Sequence, residues 1–114
     1  MKPLSVQAIN NISPYEVSEI GTNCYQFFTE HGVHCSVEFV YDDSLMSRET
    51  YHLVIVNVNH KKSPNDIKLR DTILTIIDEF FEVNNTTLLY ICETGDKKQA
   101  LRNRLFERWF SSYE

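Results

Sequence analysis

Arg70 and Arg102 are the residues whose placement asks for a chemical explanation. At 100° per residue, the segment after residue 66 gathers Ile67, Leu69, Ile73, Leu74, Ile76, Ile77, Phe80, Phe81 and Val83 on one broad arc. Lys68, Asp71, Thr75, Asp78, Glu79 and Glu82 fall opposite, and Arg70 lies inside the apolar arc. A second helix near the C-terminus presents Leu105, Phe106, Trp109, Phe110 and Tyr113, with Arg102 near the middle of that face. Arginine forks bind phosphate or carboxylate in bidentate fashion, and helix N-termini offer free N–H donors and partial positive charge. If both helices start at one sheet edge, Arg70 and Arg102 meet there with Lys61, Lys62, Asn65, Thr94 and Gly95. Such an edge would hold an anion: a phosphate, a nucleotide or a nucleic-acid backbone. The same arginines paired with Asp66, Glu93 or Asp96 would instead tie helices to the sheet with no ligand. Gly95 stands alone, so no glycine-rich phosphate fingerprint supports the anion.

Other chemistry is thinner. His31, His34 and Cys35 are metal-ligand types, but on a strand His34 and Cys35 point to opposite faces and His31 falls in a turn, so no metal is expected. Cys92 ends a strand just before a helix start, where a thiolate would be stabilised, and His60 is the histidine that could come near it. The simpler reading makes the cysteines small core residues. Lys97, Arg104 and Arg108 form a basic stripe on the flank of the last helix, which solvent usually covers. Nucleic acid could use it, with Tyr25, Phe27 or Trp109 as stacking groups. No nucleophile meets its base and no metal shell assembles, so no catalytic residue and no cofactor are expected.

These residues must be positioned by an α+β fold. From Tyr15 to about Tyr41 the chain is rich in Val, Phe, Tyr and Thr, with breaks at Gly21 and at His31-Gly32, and reads as an antiparallel meander. A two-residue turn at His31-Gly32 sets Phe28 opposite Cys35, Gln26 opposite Val37 and Cys24 opposite Phe39 as the core face. Tyr25, Phe27 and Thr29 would then lie beside His34, Ser36 and Glu38 on a half-polar surface suited to solvent or a partner. Tyr51 to Asn59 is expected as a strand inside the sheet, followed by a helix capped by Ser63, with Pro64 first and Asp66 third, running to about Val83. Thr87 to Cys92 is a second buried strand, reached by a right-handed crossover and therefore parallel to the first. The expected order is β-β-β-β-α-β-α: one mixed sheet of about five strands carrying two helices, the last packed beside the first.

Composition sets the bounds. The chain has 114 residues, 42% hydrophobic and 24% charged, with three Gly and three Pro, which describes one domain over residues 1–114, the first 12 loosely held. Acidic residues outnumber basic ones 16 to 11, which argues against coating nucleic acid by bulk charge. Residues 97–108 nevertheless hold five basic side chains against Glu107. Three separated cysteines, no export signal and no long apolar run point to a reducing cytoplasm and no membrane.

The stretch from about Tyr51 to the C-terminus, with its strand ending in Cys92, Asp96 opening the last helix, and Arg102, Phe106 and Trp109 within it, resembles a family of small uncharacterised bacterial proteins found mainly among Bacteroidetes. That resemblance implies a small bacterial intracellular protein and assigns no site residue. The expected role is a non-enzymatic interaction or regulatory protein with an unknown protein partner or a second copy of itself. The alternative is a binder of an anionic ligand at the Arg70–Arg102 edge.

Overall fold

A computed structural model describes residues 1–43, 49–61, 66–84 and 86–92. They form α1 (Val6–Asn10), β1 (Ser18–Gly21), β2 (Cys24–Phe28), β3 (His34–Asp42), β4 (Thr50–Asn57), α2 (Ile67–Val83) and β5 (Thr87–Cys92). The five strands make one mixed sheet in the order β1-β2-β3-β4-β5. The first three junctions are antiparallel, and β5 pairs in parallel with β4, Tyr51 opposite Leu88 and Leu53 opposite Tyr90. α2 is the crossover that this parallel pairing requires. The early helix α1 is an addition to the expected order, and the expected last helix lies outside the described residues.

α2 covers the inner face of the sheet. Phe80, fully buried, stacks on Phe39 with centroids 4.8 Å apart and meets Tyr51 edge-on at 6.2 Å. Around them Tyr25, Phe27, Val37, Leu53, Ile73, Ile76 and Ile77 complete the core. Leu4 and Ile9 join it from residues 1–12, which are tied down by hydrogen bonds: the Tyr25 hydroxyl accepts the Leu4 N–H at 3.2 Å. Thr75 also departs from the wheel, being buried beside α1, its hydroxyl donating to the Asp71 carbonyl at 2.7 Å, while Ile67 and Phe81 stay exposed at the ends of the apolar arc.

The β2–β3 register is one residue off the expected one. Phe28 pairs with His34, Phe27 with Cys35, Tyr25 with Val37 and Cys24 with Glu38, and the single slip turns every β2 side chain over. Tyr25 and Phe27 are therefore core, 0% and 1% exposed, and neither can stack on a nucleic-acid base. The cause is the turn. The Thr29 N–H donates to the Val33 carbonyl at 2.9 Å around the three residues Glu30, His31 and Gly32, with Gly32 at φ +80°. The Thr29 hydroxyl accepts the N–H groups of His31 and Val33, which fixes this longer loop.

The start of α2 is corrected too. Asp66, not Ser63, is the N-cap: its Oδ1 accepts the Leu69 N–H at 3.1 Å, and its Oδ2 accepts the Tyr15 hydroxyl at 2.9 Å. Ser63, Pro64 and Asn65 lie outside the described residues. At the other end β4 stops at Asn57 rather than Asn59, because Asn59 turns back to clip the hairpin, its Oδ1 accepting the His34 N–H and its Nδ2 donating to the Gly32 carbonyl. Asn10 clips Val17 in the same way, accepting its N–H at 2.7 Å and donating to its carbonyl at 2.9 Å.

Candidate functional site

Cross-strand neighbours share a face, so pairing alone defines what the outer side of the sheet carries. One row runs Leu89, His52, Val40; the next Val54, Glu38, Cys24; the next Val56, Ser36, Gln26, Ser18; and the last His34, Phe28. This is the side opposite α2. Phe28 is 58% exposed, and Leu89 and Val40 about as exposed as each other at 42% and 41%. Val40 and Leu89 flank His52 in one row, and Phe28 stands beside His34 at the other end of the face.

The two histidines on this face are held in place. His52 Nε2 lies 2.6 Å from Asp42 Oδ2, and its buried Nδ1 has no hydrogen-bond partner among the described residues. His34 Nε2 lies 2.7 Å from Gln26 Oε1, with the ring stacked on Phe28 at 4.3 Å. The Cys24 thiol is pushed above its usual range by burial and then by the negative charge of Glu38 beside it. Cys35, on the inner face, is pushed up to about 12 by burial alone. Both are free thiols, and His34 and Cys35 point to opposite sides of β3. No cluster of three or more His, Cys, Asp or Glu among the described residues could hold a metal.

At the edge singled out from the sequence, Arg70 turns to its own neighbour. Its Nη2 and Nε lie 3.2 and 3.3 Å from Asp71 Oδ1, with the side chain about one third exposed. Lys68 pairs with Glu30 across to the hairpin at 3.2 Å. Lys61 is exposed, its ammonium lying over Gly32, and its carbonyl accepts from Asn57 Nδ2 at 2.8 Å. His60 is exposed with φ +57°. Lys62, Asn65, Thr94, Gly95, Arg102 and the stripe Lys97, Arg104 and Arg108 lie outside the described residues, as does the Cys92 side chain.

A different opening sits at the far end of α2. It is a cleft of about 700 Å³ lined by Met1, Lys2, Glu49, Phe81, Glu82, Val83, Asn84 and Thr86. The Met1 amino group is buried there and donates to the Tyr51 hydroxyl at 2.9 Å, and the Thr86 hydroxyl is buried without a hydrogen-bond partner among the described residues. Sequence reasoning missed this cleft because its walls come from three separated stretches, residues 1–2, Glu49 and residues 81–86, and nothing local announces that they meet. The outer face was expected with His34, Ser36 and Glu38 on it, and these stand there, but the hairpin register was wrong by one, so that β2 contributes Cys24, Gln26 and Phe28 in place of Tyr25 and Phe27.

No helix among the described residues is long and apolar enough to cross a membrane. No curated protein and no solved structure matches the chain. Residues 65–114 match the model of a protein family of unknown function, DUF6169, which takes in α2, β5 and the C-terminal segment but not the meander that carries most of the outer face.

Proposed function

We propose that this is a non-enzymatic interaction protein whose contact surface is the outer face of the sheet. The observation that carries the reading is the row structure of that face: Phe28, Val40 and Leu89 stand exposed among polar side chains already fixed by hydrogen bonds. A face of this kind gains on association by covering apolar area and loses little side-chain freedom in doing so. A bacterial cytoplasmic setting belongs to the same proposal and is supported by the free thiols Cys24 and Cys35.

The test is photo-cross-linking in the cells that make the protein, with benzoylphenylalanine placed at Val40 and, as a control, at the exposed Glu16 on no part of that face. Discrete adducts from Val40 but not from Glu16 are expected. Equal or absent labelling at both positions would remove the reading.

A further inference from the structure

The outer face is one-sided in charge. Among its described residues are Glu38, exposed, and Asp42, and there is no lysine or arginine. Glu38 stands at the centre: Val54 is opposite it on β4, Cys24 opposite it on β2, and Ser36 and Val40 flank it along β3. Among the described residues no cation pairs with it, whereas Asp42 is engaged by His52 at 2.6 Å. A carboxylate without a cation, amid half-buried and exposed aliphatic groups, shapes what can cover it. A partner must desolvate that charge, which is unfavourable unless the partner brings donors to it; a cation is the strongest such match, and an acidic or purely apolar partner is disfavoured.

We propose that the outer face docks a basic amphipathic segment of another protein, its aliphatic side chains on Val40, Val54, Val56 and Leu89 and a lysine or arginine paired with Glu38. This rests on the interaction reading and adds the chemistry of the partner. Complementary charge would set orientation and association rate, and the apolar rows would hold the complex.

The probe is a fluorescently labelled synthetic helical peptide with leucines on one face and lysines and arginines on the other. A second peptide carries glutamate in place of every basic residue. The full-length protein should bind the basic peptide and not the acidic one, with affinity falling at high salt. Glu38→Lys should weaken binding about tenfold, which is ~1.4 kcal/mol, and Val54→Ser should weaken it as well. Both variants should keep cooperative thermal melts; Glu38→Gln, milder, should show the same trend if Glu38→Lys does not fold. Equal binding of both peptides, or binding indifferent to Glu38→Lys and Glu38→Gln, overturns the proposal. Concentration-dependent dimerisation lost in Glu38→Gln would give the face to a second copy of the chain and overturns it equally. Cross-links from Val40 without basic-peptide binding would remove the partner chemistry and leave the interaction reading standing; no cross-links from Val40 would remove both.

Discussion

Asn84 grips the backbone of Lys2 on both sides, its Oδ1 accepting the Lys2 N–H at 2.6 Å and its Nδ2 donating to the Lys2 carbonyl at 3.1 Å. Asn84 is also the C-cap of α2, its own N–H donating to the Phe80 carbonyl. The last turn of α2 has no basic side chain, and the grip brings Lys2 and the Met1 amino group to that end, where a helix favours positive charge. Asn84→Ala removes two part-buried hydrogen bonds to the Lys2 backbone and should cost ~1–2 kcal/mol. Urea unfolding checks it, and an unchanged midpoint would mean that the grip on Lys2 contributes nothing to stability.

Phe80→Ala removes the ring that stacks on Phe39 and meets Tyr51 and Phe81 edge-on. A fully buried phenylalanine in such a cluster should cost ~3–5 kcal/mol, enough to unfold a marginal domain. Phe81→Ala, at an exposed ring one residue on, should cost far less. Paired thermal melts give the comparison.

Gly32 holds φ +80°, which a side chain resists, so Gly32→Ala should destabilise by ~1 kcal/mol. The atom nearest an added Cβ is the Lys61 ammonium at 3.0 Å, the end of a flexible chain that can move away, so the backbone angle sets the cost. Gly32→Asn should cost less than Gly32→Ala, because asparagine tolerates this conformation. The reverse order would show crowding to dominate.

Alkaline pH should weaken the fold through Cys35. Its thiol stays neutral in the folded protein up to about 12, while in the unfolded chain it ionises near the usual thiol value of ~8.5. The stabilisation is complete below that unfolded value and is lost as pH rises towards the folded one. Tyr25, raised by burial, steepens the loss above the ordinary phenol range. Unfolding free energies measured across the alkaline range should fall less steeply in Cys35→Ala than in the wild type.

Cys24 reports on the outer face. Burial first, and Glu38 second, raise its thiol pKa, so alkylation of the native protein should be slow at Cys24 and slower still at the buried Cys35. Glu38→Gln removes the smaller of the two causes and should speed labelling of Cys24 modestly, leaving Cys35 unchanged. Mass spectrometry of alkylated peptides separates the two sites.

The crossover was legible because β4 and α2 carry strong, distinct periods: the aliphatic run at Leu53–Val56 and the apolar arc through Ile73, Ile77 and Phe80 have no second reading. The β2–β3 hairpin was not, because both faces of β2 are apolar. Cys24 and Phe28 compete with Tyr25 and Phe27, and only the Thr29 hydroxyl, by fixing a three-residue loop, decides between them. The α2 cap was ambiguous for a related reason: Ser63 and Asp66 are both cap types, and the Tyr15 hydroxyl that supports Asp66 lies 51 residues away in sequence. The β3 half of the outer face, His34, Ser36 and Glu38, was therefore legible, whereas its β2 half, Cys24, Gln26 and Phe28, depends on that register.

The hydrogen bonds between Asn10 and Val17 have a consequence at the scale of many molecules. The polar backbone groups of Val17, just before β1, point away from β2, in the direction from which a foreign strand would extend the sheet, and the Asn10 amide occupies both. A chain arriving along that border finds its first pairing site already taken, and β1 itself offers only four residues with an irregularity between Glu19 and Gly21. Asn10 thus acts as a stopper against fibril growth from this side, and an Asn10→Ala protein should form β-rich aggregates at concentrations where the wild type stays dispersed.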